Sequence, residues 1–255
     1  MAEPIIHDGN YTDFINPTVN GEVKLCSAIP RVVPFGKLGF AAEASVERLS
    51  RSRQIELIRE AKANKTRVSD RIKRINMRPL DQNGTNFCWA NGPVNGVRVV
   101  RLLNNQQYED LSPASVACQI NGFRNEGGWG TEAMKFSAEK GAVPTRLWPN
   151  NAIDRRYLTP EAKVEAMRFR VTEWDDIPAR DAELFRTYLA LGYCIAVGYN
   201  WWRHEVLACD LEEDMSVRIW NSWGDWGEDG FGILSASKSI PDDAVVPRLA
   251  VALAA

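Results

Sequence analysis

Cys88 is followed by Trp89 and preceded, six positions earlier, by Gln82; far downstream come His204 and the run Trp220-Asn221-Ser222-Trp223-Gly224. A thiol nucleophile, an imidazole base, an amide to orient the ring and an amide to hold an oxyanion are what acyl transfer through a thioester needs. The 255-residue chain has two histidines, and only His204 lies downstream of the cysteine, so little choice remains for the base. Cys88 falls where a helix should begin, and there its sulfur would meet unpaired N–H groups and the positive dipole end that favour a thiolate. Taken singly, each residue has a plain structural reading: a buried core cysteine, a strand histidine, a turn asparagine, a loop glutamine, tryptophans as core filler. Their joint presence in this order is what points to chemistry.

Gln82-Asn83-Gly84-Thr85-Asn86-Phe87-Cys88-Trp89-Ala90 resembles the nucleophile segment of papain-like cysteine peptidases, in which a glutamine precedes a Cys-Trp-Ala run by six residues. Tyr108 to Cys118 is similar to that family's following Leu-Ser…Cys helix, and Glu126-Gly127-Gly128-Trp129 to its Asn-Gly-Gly stretch beside the cleft. His204-Glu205-Val206-Leu207-Ala208 resembles its catalytic His-Ala-Val strand, and Ile219 through Phe231 matches its Asn-Ser-Trp-Gly…Trp-Gly…Gly-Tyr signature. The resemblance covers residues 80–235. It implies an α+β, two-lobed fold with a helical lobe and a small antiparallel β-barrel lobe. It also implies roles: Cys88 as nucleophile, His204 as base and then acid, and Asn221 in place of a triad aspartate. Gln82 and the Cys88 N–H would hold the oxyanion, donors of this kind being worth ~3–4 kcal/mol each. Trp223 would shield the Asn221–His204 bond. Gly127 and Gly128 would admit an extended peptide, Trp129 would form a pocket wall, and Asn86, where the family has glycine, would narrow or polarise the cleft.

The elements that must carry these residues follow from pattern. Residues 1–40 are punctuated by proline and glycine and read as an extended arm, with one short strand near Val23–Leu25. Residues 41–76 have apolar positions at helical spacing, with a break near Asn64–Thr66 and a stop at Pro79. A helix is expected from Asn86 to Leu103, although Gly92-Pro93 falls in its first turns. Ser112-Pro113 should open another helix, Thr131 should cap one running to Lys140, and Ala182–Leu191 should form a further one. Tyr193–Tyr199, Glu205–Asp210, Ser216–Trp220 and Gly230–Leu234 read as strands. The expected organisation is an arm over residues 1–40, a basic helical segment over 41–78 and a catalytic domain over 79–255.

Several features depart from the family or bound the function. Thr85 stands where the family has a disulfide cysteine, and no cysteine lies near Asn125, its partner region. Five cysteines without a C-x-x-C pair suggest free thiols in a reducing compartment. With no secretory signal visible, this suggests a cytoplasmic location, or a virion-associated one for a protein similar to compact bacterial or phage-encoded members. No apolar run is long enough for a membrane span. No cofactor and no metal are expected, since Cys and His are not clustered. From Arg48 to Arg78 there are eleven Lys/Arg and three Asp/Glu, a net +8 in a chain of net −2. A basic helix lying on its own acidic domain accounts for that better than nucleic acid does. A peptide or protein is the expected substrate. No propeptide motif is visible in residues 1–78, so docking or assembly, including a homo-oligomer, is favoured for them over inhibition. Two alternatives to peptide hydrolysis stand: an amidase or transferase working through the same thioester, and a virion-type structural or assembly protein that retains the fold.

Overall fold

The computed structural model describes residues 2–31, 41–43 and 46–251. The chain begins with a short strand β1 (Ile5–Ile6) and a small hairpin, β2 (Thr18–Val19) and β3 (Glu22–Val23), and continues to β4 (Ala41–Glu43). Residues 44 and 45, inside the stretch expected to start the basic helix, lie outside the described residues. Helix α1 (Arg51–Asn64) opens on Ser50, whose hydroxyl accepts from the Arg53 N–H. It stops at Lys65, which adopts the left-handed conformation, and α2 (Val68–Arg74) follows. The expected break at Asn64–Thr66 is therefore a true helix end.

Helix α3 (Cys88–Leu103) is buried from Cys88 to Arg101 and runs through the middle of the molecule. Its first turn is tight: the Ala90 and Asn91 N–H groups both donate to Phe87 O. Pro93 lies inside it, and nothing in the structure explains that choice. Helix α4 (Pro113–Asn121) starts as its sequence predicts, with Ser112 accepting from the Ser115 N–H. Helix α5 (Gly130–Glu139) begins one residue before Thr131, with Trp129 in the capping position, so Thr131 is not its cap. Then come α6 (Pro160–Ala166), β5 (Val171–Ile177), α7 (Ala182–Ala190), β6 (Ile195–Tyr199), β7 (His204–Leu211), β8 (Val217–Trp220), β9 (Phe231–Leu234) and β10 (Asp243–Ala250).

The strands form one eight-stranded sheet in the order β1-β9-β8-β7-β6-β10-β5-β4. Its inner pairs are antiparallel, while β1 and β4 add in parallel at the two edges. The strand-rich lobe is thus built on a continuous sheet, with no ladder joining β1 to β4 among the described residues. Two large apolar clusters lie in the two lobes. One, around Trp89, Val97, Met134 and Trp148, belongs to the helices; the other, around Tyr188, Val197, Trp202 and Trp223, belongs to the strands. A smaller cluster holds α2 down through Val68 and Ile72 against Val99, Trp220 and Phe231. The basic segment meets acids of its own chain: Arg59 with Glu213, Lys62 and Arg67 with Glu212, Lys73 with Glu228.

Candidate active site

Cys88 is the first residue of α3 and His204 the first of β7, and both are fully buried. His204 Nε2 lies 2.8 Å from Asn221 Oδ1. That oxygen also accepts the Ser222 N–H at 2.8 Å. A backbone N–H can only donate, so the amide orientation is fixed and the ring must carry its proton on Nε2. Nδ1 is then the bare lone pair, and it is buried without a hydrogen-bond partner among the described residues. Trp223 stacks on the ring at 4.5 Å between centroids and Trp202 meets it edge-on at 4.8 Å. The two indoles wall the Nε2–Oδ1 bond from water.

The thiol and the ring are not hydrogen-bonded to one another. Cys88 Sγ instead faces the hydroxyl of Ser27, 3.6 Å away. Burial pushes the Cys88 thiol up, opposed by hydrogen bonds from Ser27 and from the Glu205 backbone. Burial pulls His204 down to about 4, with the Asn221 bond acting the other way. Burial thus favours the neutral form of both partners.

Gln82 is buried and its Nε2 donates to Leu25 O at 2.7 Å, while Oε1 accepts from Ser222 Oγ at 3.2 Å. The amide expected to hold an oxyanion thus holds a carbonyl oxygen of the N-terminal arm. The same arm continues along the groove. Ala28 N–H donates to Arg203 O, beside His204, and Ile29 N–H donates to Gly128 O at 2.9 Å. Ala28 and Gly128 form a parallel bridge. Trp129 Nε1 donates to Pro30 O. A methyl on Gly127 would run into Ser27 O, and one on Gly128 would come within 2.6 Å of the Trp89 indole. The two glycines do admit an extended peptide, and the peptide they admit is residues 24–31 of this chain. This corrects the expectation that the N-terminal region docks away from the cleft: its helices do, on α3, α7 and β7, but its arm covers Cys88.

Asn86 engages a neighbouring loop through its amide. Its N–H donates to Asn125 Oδ1 at 2.7 Å, its Nδ2 donates to Asn125 O, and Asn125 Nδ2 donates to Gly84 O. This amide clamp joins the two loops that a disulfide joins in the family, and all five cysteines are free. Sequence reasoning missed Asn125, Ser27, Leu25 and Trp202; the spacing of Asn125 from the absent cysteine was the available signal. Among the described residues no group of three or more His, Cys, Asp or Glu side chains is arranged to hold a metal ion.

No protein-family model matches the sequence, and no curated protein matches it significantly. Solved structures do. Xylellain, a cysteine protease from Xylella fastidiosa, is 20% identical over 70% of this chain and 84% of its own, with a TM-score of 0.57. A digestive procathepsin L from Tenebrio molitor larval midgut is 15% identical over 94% of this chain and 79% of its own, at 0.62. A Carica candamarcensis cysteine protease in complex with E-64 is 18% identical over 70% of this chain and 94% of its own, at 0.57. The fold is that of the papain-like cysteine proteases.

Proposed function

We propose that the chain is a papain-like cysteine peptidase captured with its own arm in the substrate cleft. The observation that carries this is the Gln82 amide donating to Leu25 O while the Ser27 hydroxyl faces Cys88 Sγ, a peptide carbonyl held by Gln82 with the same peptide passing over the thiol. With the arm displaced, His204 Nδ1 takes the thiol proton and Sγ attacks a substrate carbonyl. The oxyanion is met by Gln82 Nε2 and by the Cys88 N–H, which as the first in α3 has no intrahelical acceptor. The imidazolium then protonates the leaving amine, and water cleaves the thioester by the reverse sequence. Five free thiols and an amide clamp in place of a disulfide support work in a reducing setting, the cytoplasm or a virion.

Reaction with a peptidyl vinyl sulfone at pH 6, followed by mass mapping, tests the reading on the intact chain and on a chain cut within residues 24–31. Burial raises Cys26 and Cys194 to about 12 and Cys118 to about 11, and no base attends them. Once the arm is cut, Cys88 is expected to label first, and Cys88→Ala to abolish peptide hydrolysis while leaving the fold intact. Labelling of Cys26, Cys194 or Cys209 at the rate of Cys88 would leave only the scaffold reading.

A further inference from the structure

Beyond Ile29 the arm turns one more side chain inward. Arg31 is 3% exposed at its side chain and grips Asp176 with both terminal nitrogens, each at 2.6 Å, while Nη1 also reaches Asp243 at 3.0 Å. This guanidinium is held at the end of the same run that occupies the groove, one residue past Pro30, whose carbonyl Trp129 fixes. Asp243 lies opposite Gly198 on β6, and Gly198 lies opposite Glu205 on β7. Residues directly opposed in antiparallel strands point to one face, so Glu205 and Asp243 share a face across a position that has no side chain. Glu205 directly follows His204, its backbone bonds to Cys88, and it is 3% exposed with no cationic partner among the described residues. Its carboxylate leans on Gly130 at the start of α5, and Gly92 in α3 leaves room for its stem.

Burying a carboxylate is costly, and burial is the first cause raising both Glu205 and Asp243, the latter to about 6 even with Arg31 beside it. When the arm leaves, Asp176 and Asp243 lose the Arg31 guanidinium as well. A cationic side chain delivered by a substrate would restore what is lost.

We propose that Asp176, Asp243 and Glu205 form a subsite beside Cys88 that selects an arginine or lysine side chain of the substrate, with Arg31 as its internal stand-in. This rests on the peptidase reading and names its substrate class: peptides that cross the groove in the direction opposite to the arm, so that the place of Arg31 falls upstream of the cut bond and takes a basic residue. Planar bidentate recognition favours arginine over lysine.

The test uses full-length Arg31→Ala and vinyl sulfone peptides that differ only in Arg or Leu at each successive position before the warhead, with Cys88 alkylation read by mass. The Arg probe is expected to react at least ~10-fold faster than the Leu probe at one position. Adding Asp243→Asn or Glu205→Gln should collapse the preference. Equal rates at every position, or a preference that survives both carboxamides, overturns the subsite and leaves Arg31 as an anchor for the arm. Failure of every probe to favour Cys88 over the other thiols sinks the peptidase reading and the subsite with it. Should Arg31→Ala not fold, Arg31→Gln provides the background, since it keeps a polar stem between Asp176 and Asp243 without the charge.

Discussion

His204 shows at the level of one residue how the covered site is held silent. Its ring is neutral because burial lowers it to about 4, against an ordinary value near 6.5. Between those limits the unfolded chain takes up a proton that the folded chain refuses. Stability from this residue is therefore complete above pH 6.5 and is lost as pH falls through 4, by on the order of 3 kcal/mol. Asp243 works in the opposite sense: raised to about 6, it contributes stability below its unfolded value that is lost as pH rises through 6. Comparing wild type with His204→Gln by urea unfolding from pH 7 to pH 4 separates the two. The wild-type advantage over the variant should shrink steadily across that range, and a constant difference would contradict a neutral buried ring. Cys88, His204, Asn221 and Gln82 were picked out in the sequence because their types are scarce and their order is specific, and His204 and Asn221 do meet in the fold. The Asn125 partner of Asn86 was not legible, since a side-chain amide bonded to another loop carries no signal in a single sequence. Glu205 and Asp243 were not singled out either, because they become neighbours only through β6.

At the scale of elements, the sequence revealed what has a period or a cap. The break after α1, the Ser112 cap of α4 and the strands β6 to β9 all have one or the other. Strands β1 and β4, two and three residues long, are too short to show alternation, and β10 carries Pro247 in its middle, which argues against a strand on local grounds. The arm defeated the reading for a related reason. Residues 24–31 satisfy their backbone groups on the groove and on side chains such as Gln82 and Trp129, so no internal pattern marks them. Gly127→Ala isolates the arm's contribution. The nearest neighbours of its methyl would be Ser27 O and, more loosely, Ile29, both in the arm. The variant should react with iodoacetamide at Cys88 on the order of 10-fold faster than wild type, a shift of about 1.4 kcal/mol toward the open groove. Unchanged labelling would mean that the arm does not limit access to the thiol.

Across the whole molecule the N-terminal segment is stitched to both edges of the sheet as well as to the cleft. On one side β1 pairs with β9, with the Ile233 N–H on Pro4 O, the Ser235 N–H on Ile6 O and Glu3 paired with Arg218. On the other, β4 pairs with β5. Ile6, Val19 and Cys26 belong to the apolar core of the strand lobe. Farther along, Asp210, buried in β7, accepts the Val68 and Ser69 N–H groups that start α2. A cut near Arg74–Arg78 would therefore unseat a packed helix and would not uncover the thiol. Loss of everything before α1 should uncover Cys88, expose two unpaired sheet edges and open part of the core at once. A chain beginning at Leu49 is thus expected to melt well below the intact protein and to associate through its edges. Gly127→Ala should open the groove at nearly native stability. Thermal unfolding and solution mass of the two forms, measured beside their Cys88 labelling rates, decide the matter. If the shortened chain keeps the intact melting temperature and stays monomeric, the N-terminal segment is a detachable plug, and the edge strands contribute nothing that the rest of the sheet requires.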